Sequence, residues 1–214
     1  MPTHLSLIRH GETPWNTNGR WQGHARIPLN DEGKRQAALL AEHLAPNAEI
    51  TAIYTSDSLR TQQTADILAA RLDKPVYLDE RLREIDMGEW QGLTREEIIE
   101  WDSERWTHIM SDPRRIPRPG GESGDQVSIR SIAALEEIIG KHRDEHVLVV
   151  THGGTINNLL ATLNLLQPEH GHIGNTSLTR LLHQHDNETA PWSLDVFNLL
   201  THLDESKVRD NQEG

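Results

Sequence analysis

The chain has 214 residues, with 21 Lys and Arg against 33 Asp and Glu, a formal net charge of -12 and no cysteine. That length suits one domain with a sizeable core, and the missing cysteine excludes disulfides, thiolate metal sites and a cysteine nucleophile. The acidic balance argues against non-specific nucleic-acid binding, which needs basic surface.

No apolar run approaches the roughly 20 residues that a membrane span needs. Met1 to Ile8 has neither a charged start nor a long apolar stretch, so no secretory signal and a cytoplasmic location are expected.

In chain order, Leu5 to Ile8 reads as a strand. Asn30 is a plausible N-cap for a helix whose apolar face is Ala37, Leu40, Ala41 and Leu44, spaced i, i+3, i+4, i+7 and closed by Pro46. Ala52 to Tyr54 is a second strand, Ala65, Leu68, Ala69 and Leu72 repeat the helical spacing, and Val76 to Leu78 is a third strand. Residues 94–110 read as one acidic helix, and the prolines and glycines from Pro113 to Gly121 mark a loop. Ile132, Leu135 and Ile139 give another helix. Val147 to Val150 is continuous and apolar, as a strand buried on both faces should be. Ile156, Leu159, Leu160 and Leu163 give the next helix, with strands at Leu178 to Leu182 and Leu194 to Leu200.

The alternation predicts an α/β fold of three layers, α/β/α, with a central mostly parallel sheet flanked by helices on both faces. Residues 1–203 are expected to form this domain, with 86–122 as a helical lid-like insertion. The polar segment 204–214 is expected to be a flexible tail.

Arg9-His10-Gly11-Glu12-Thr13 follows the first strand, Thr55-Ser56-Asp57 the second, and Thr151-His152-Gly153-Gly154 the fourth. Ligands of open α/β sheets sit beyond the carboxyl ends of the strands, so these clusters should meet. Two histidines with Arg9 and Arg60 suit a tetrahedral dianion, because arginine forks pair with phosphate oxygens. A helix starting near Gly154 would add its N-terminal N–H groups. A neutral imidazole can attack phosphorus. The candidates for the accompanying general acid are Glu12, Glu84, Asp86 and Glu89.

These residues, with others in the same order, resemble the histidine phosphatase superfamily, the phosphoglycerate-mutase-like family. Leu7-Ile8-Arg9-His10-Gly11-Glu12-Thr13 is similar to its signature. Asn16, Gly19 to Gly23, Pro28-Leu29 with Gly33, Ser56 to Ala65, Leu82 to Gly92, Pro119 to Ser123 and Thr151 to Gly154 continue the series across residues 4 to 203. The resemblance implies a phosphoglycerate-mutase-like fold. It makes His10 the nucleophile that forms a phosphohistidine, has Arg9, Arg60 and His152 hold the phosphoryl group, and has Glu84 protonate the leaving oxygen. Asn16, Gln22, Gly23, Gly153 and Asn175 would line the substrate site. The family uses no metal, and no cofactor is expected for this chain. His10 must be neutral to attack, whereas His152 would help most as a cation.

Within the family, Arg83-Glu84-Ile85-Asp86-Met87-Gly88 and the short stretch after it look like the broad-specificity and α-ribazole phosphatases. The expectation is therefore a metal-independent phosphomonoesterase acting on a small phosphorylated metabolite, as a monomer or homodimer. The alternatives are a cofactor-dependent phosphoglycerate mutase, with Arg114, Arg115 or Arg118 reaching a second phosphate, and a non-catalytic phospho-ligand-binding protein. Arg26 stands where relatives often have aspartate, with no role assigned. His170-x-His172 and His183-x-His185 have strand spacing for a metal pair, but no third ligand stands near them in sequence.

Trp15, Trp21, Trp90, Trp101 and Trp106 are placed in or near the mouth, with packing inside the insertion the simpler reading for Trp101 and Trp106. Residues 79–105 carry ten acids against four arginines. Such a flank should disfavour further anionic groups on the substrate, leaving one phosphate on a neutral or partly apolar body.

Overall fold

The computed structural model describes residues 1–46, 49–166, 170–187 and 189–203, so the expectation of a flexible tail at 204–214 lies outside the described residues. Six strands form one sheet: β1 (Thr3–Arg9), β2 (Ile50–Thr55), β3 (Val76–Leu78), β4 (His146–Thr151), β5 (Leu178–His183) and β6 (Trp192–Leu199). Their spatial order is β3-β2-β4-β1-β5-β6. β1, β2, β3 and β4 pair in parallel, while β5 pairs antiparallel with both β1 and β6. The sheet is thus mostly parallel, with one reversed strand that periodicity could not orient.

The helices are α1 (Pro14–Thr17), α2 (Asp31–Leu44), α3 (Leu59–Leu72), α4 (Arg95–Ser111), α5 (Gly124–Lys141) and α6 (Gly153–Thr162). Side chains alternate across a strand, so each strand feeds two cores. Ile8, Ile53, Leu148 and Val150 pack against Leu40, Leu44, Ala65 and Leu68 of α2 and α3. Leu5, Leu7, Val147 and Val149 pack against Leu135, Ile138, Ile156 and Leu159 of α5 and α6. Asn30 caps α2, its side chain accepting the Gly33 N–H at 2.7 Å. Ser123 with Gln126 and Thr94 with Glu97 form reciprocal capping boxes at the starts of α5 and α4.

Residues 94–110 are not one continuous helix. The backbone leaves helical geometry at Asp102, whose carboxylate accepts the Trp90 indole N–H at 3.3 Å and pairs with Arg105 at 2.7 Å. Trp90 is fully buried in a third core with Ile85, Met87, Ile98 and Val127, which Trp21 and Trp106 join. Among the described residues no helix is long and apolar enough to cross a membrane.

Candidate active site

The chain beyond the ends of β1, β2 and β4 meets at one cavity of about 530 Å³, lined by Arg9, His10 and Glu12 after β1, by Arg60 after β2 and by Gly153 and Gly154 after β4, while Thr55, Ser56 and Asp57 stay off its wall. The loop after β1 is fixed by backbone contact. A Cβ on Gly11 would strike the Gly33 carbonyl, and one on Gly33 would strike the Glu12 backbone, so the two glycines let the chain fold onto the start of α2. His10 is then pinned through its main chain: its N–H donates to Thr151 O at 3.0 Å, and its carbonyl accepts the Asn175 side-chain amide at 2.9 Å.

The His10 ring is almost fully buried. Its Nδ1 lies 2.7 Å from the Gly11 carbonyl, which can only accept, so Nδ1 carries the proton and Nε2 the lone pair. Burial, then Arg60 and Arg9, pushes its pKa well below the ordinary histidine value, despite the opposing Gly11 bond. The ring is neutral and faces a basic floor.

That floor is Arg9 and Arg60. Arg60 is entirely buried; its guanidinium donates to the carbonyls of Gly23 at 2.8 Å and Ala25 at 3.0 Å. Arg9 donates to Ile173 O at 2.6 Å and to His172 Nε2 at 2.9 Å. The Nε of each is buried without a partner among the described residues. Burial lowers both pKa values, that of Arg60 to about 10, with Glu84 opposing the shift. Two buried cations without dedicated carboxylates suit an anion between them. Asp57 does not pair with Arg60; it makes a bidentate pair with Arg83.

His152 departs from expectation. It is fully buried and does not line the cavity. Arg60 Nη2 donates to its Nδ1 at 3.1 Å, so its proton sits on Nε2 and goes to Ser56 Oγ, also at 3.1 Å. Burial, then Arg60 and His10, holds its pKa well below the ordinary value. His152 is a neutral ring behind Arg60, edge-on to His10 with centroids 5.3 Å apart, and not the expected cation.

The first turn of α6 was also expected to receive an anion, and the carboxylate it holds is that of Glu84. Glu84 Oε2 accepts the Gly154 N–H at 3.0 Å; Oε1 accepts the Ile85 N–H at 2.9 Å and the Thr155 hydroxyl at 3.3 Å. Of the other acid candidates, Glu12 lines the cavity but accepts from Asn30 at 2.8 Å. Asp86 caps Gly88, Glu89 pairs with Arg105, and neither reaches the wall.

Asn16, Gln22, Gly23, Gly153 and Asn175 all line the cavity. The Asn16 carbonyl also closes a capping box with Thr13, so it serves the loop as well. Arg26 is exposed and off the wall, as are Arg114, which pairs with Asp125, and Arg115. Arg118 does line it. Trp15 and Trp21 form part of the wall, whereas Trp90, Trp101 and Trp106 do not. Among the described residues no cluster of three metal-ligating side chains exists.

Sequence reasoning missed Arg130. From α5 it donates to the carbonyls of Arg81, Arg83 and Glu84 at 2.7 to 2.9 Å and pairs with Glu122. Burial alone would raise Glu122, but Arg130 and the Asp86 N–H hold its carboxyl below the usual range. This clamp carries the backbone that presents Glu84. Its only trace in the sequence is Glu122 within the Pro119 to Ser123 block.

Residues 5–195 match the histidine phosphatase superfamily (branch 1). A phosphoglycerate mutase-like protein of Arabidopsis thaliana is 36% identical over 94% of this chain and 87% of its own. A metal-independent phosphoserine phosphatase of the same plant is 36% identical over 94% of this chain and 83% of its own. The solved structure of mycobacterial glucosyl-3-phosphoglycerate phosphatase with VO3 superposes with a TM-score of 0.81 at 34% identity, covering 91% of this chain and 98% of that one.

Proposed function

The chain belongs to the histidine phosphatase superfamily and is a phosphoric monoester hydrolase, and from that premise we propose that it hydrolyses small phosphorylated metabolites through a phosphohistidine on His10, without a metal. The observation that carries this reading is the tautomer of His10: Nδ1–H is held by Gly11 O at 2.7 Å, which leaves Nε2 free in a cavity floored by Arg9 and Arg60.

In this reading the Nε2 lone pair attacks phosphorus and the bond to the ester oxygen breaks. Glu84, entering as the acid, gives that oxygen its proton. The resulting carboxylate takes a proton from a water, which attacks the phosphohistidine and releases inorganic phosphate. Arg9 and Arg60 stabilise the phosphoryl oxygens throughout, as preorganised charges in a water-poor site. His152 orients Arg60 from behind. Asn16, Gln22, Gly23, Gly153 and Asn175 shape the substrate side, and 86–122 walls it as an insertion in a single catalytic unit of residues 1–203.

The direct test is hydrolysis of p-nitrophenyl phosphate in EDTA, with loss of activity in His10→Ala. Full activity in that variant would refute the nucleophile. The mutase-like relative favours a second reading, transfer of the phosphoryl group to a second hydroxyl. Conversion of 3-phosphoglycerate to 2-phosphoglycerate would reveal it.

A further inference from the structure

Arg9 meets the cavity through a guanidinium that is only partly committed. Its Nη1 donates to Ile173 O at 2.6 Å and to His172 Nε2 at 2.9 Å. An Nη nitrogen carries two N–H bonds, so Nη1 is fully used. Nε is buried without a partner, and no described residue accepts from Nη2. The edge left for an anion is therefore Nε with Nη2, the side-on fork that takes two oxygens of a phosphoryl group at once. The acceptors on Nη1 decide which edge that is, and one of them is an imidazole.

His172 belongs to the His170-x-His172 pair whose spacing suits a metal. The segment is not a strand, and the two rings part. His170 stacks on Phe197 with centroids 4.0 Å apart, while His172 lines the cavity. The bond to Arg9 fixes the state of the His172 ring. A guanidinium only donates, so Nε2 holds the lone pair and Nδ1 the proton. Burial, then Arg9, lowers the pKa of this ring, in keeping with that form.

The loop that carries His172 is held still from β6. The Asn198 side chain donates to His172 O at 3.0 Å and accepts the Gly174 N–H at 2.8 Å, so one amide clasps both ends of the segment. Ile173 between them is fully buried. A Cβ on Gly174 would strike the Leu200 side chain, so the loop lies directly on the chain just beyond β6. His172 itself is exposed, and the core does not need its ring.

We infer that His172 is a positioning residue of the reaction: by accepting from Arg9 Nη1 it turns the Nε–Nη2 edge of Arg9 toward the phosphoryl group. The reaction rests on the phosphatase reading; the choice of edge holds for any tetrahedral oxyanion in the cavity. Without the imidazole acceptor one N–H of Nη1 is left over. The guanidinium then gains by turning that N–H to the anion, which breaks the side-on pair.

The test is affinity for vanadate, a phosphoryl analogue with no leaving group, measured by calorimetry beside kcat/KM on p-nitrophenyl phosphate. His172→Leu removes the acceptor and should weaken both by about tenfold, the size of one charge-assisted hydrogen bond. His172→Gln keeps an oxygen that can accept from Nη1 and should stay within about threefold of the wild type on both. In an Arg9→Lys background there is no edge to orient, so His172→Leu should change kcat/KM by less than about twofold. Should His172→Leu not fold, His172→Ala takes its place. A loss on the ester alone, with vanadate binding intact, would make His172 a leaving-group contact and overturn the positioning role. Equal losses in the leucine and glutamine variants overturn it too, as does a loss that persists in the Arg9→Lys background. If no ester is hydrolysed the phosphatase reading falls, and vanadate affinity still decides the role of His172.

Discussion

Glu84 Oε2 sits 3.0 Å from the N–H of Gly154, so the proposed acid is held by the first turn of the helix that follows His152. A side chain at 154 would occupy the same space, since a Cβ there meets the Glu84 carboxylate. Gly154→Ala should therefore displace Glu84 and lower kcat while the protein stays folded. Glu84→Gln should lower kcat on alkyl phosphates by about 10²- to 10⁴-fold. The loss on p-nitrophenyl phosphate should be far smaller, because its leaving group departs without a proton. Equal losses on both esters would remove Glu84 as the acid.

Arg60 joins the floor of the cavity to His152 and to the Gly23–Ala25 turn. Lysine cannot make that fork, so Arg60→Lys should cost about 10²- to 10³-fold in kcat, comparable to losing an oxyanion donor. Inhibition by vanadate should weaken in parallel. Tight vanadate binding in the variant would contradict the assigned contact.

Several histidines are buried neutral, which makes stability fall in acid. Burial, then Arg180 and His4, lowers His146 to about 4; burial, then His43, lowers His202 to about 4. In the unfolded chain such rings take protons near pH 6.5. Between pH 6.5 and about 4 the unfolded state therefore binds more protons, and stability drops as pH falls, by up to about 1.4 kcal/mol per pH unit for each ring. Tm measured across that range should decline steeply for the wild type and less for His202→Gln. A flat profile would contradict the buried neutral rings.

For the nucleophile the same logic concerns rate. His10 is held well below 6.5 by burial, Arg60 and Arg9, so it stays neutral in mild acid. Protonation of His10 should leave kcat/KM untouched between pH 8 and 6.5. A fall in that interval that tracks the state of His10, followed by NMR of the ring, would refute the assigned tautomer and charge.

Trp90 is fully buried and Trp101 is 57% exposed. Trp90→Ala should cost about 3–5 kcal/mol in denaturant unfolding. Trp101→Ala should stay within roughly 1 kcal/mol, the strength of an exposed contact such as its cation–π pairing with Arg105.

What the sequence made legible is what local rules govern. Asn30 marks a helix start by its own side chain, and Val147 to Val150 announces a buried strand by being apolar throughout. The meeting of Arg9, His10 and Arg60 follows from parallel strands ending on one side. What stayed hidden depends on partners far along the chain. The tautomer of His152 is set by Arg60 and Ser56, the kink at Asp102 by Trp90, and the presentation of Glu84 by Arg130. The -12 charge misled about the site for the same reason: of the charged residues in 79–105 only Glu84 lines the cavity.

The strand bearing the nucleophile has no sequence-local neighbour. β1 lies between β4 and β5, with Ile8 in register with both Val150 and Leu178, and the Arg9 carbonyl accepts from Thr176. During synthesis the segment containing His10 leaves the ribosome ahead of both strands that pair with it, which arrive well over a hundred residues later. The nascent chain must keep an apolar strand unpaired through most of translation, and loop closure over that distance slows the search. The pocket is therefore among the last parts of this molecule to come into being, and early β1 is the stretch where a chaperone has most reason to bind.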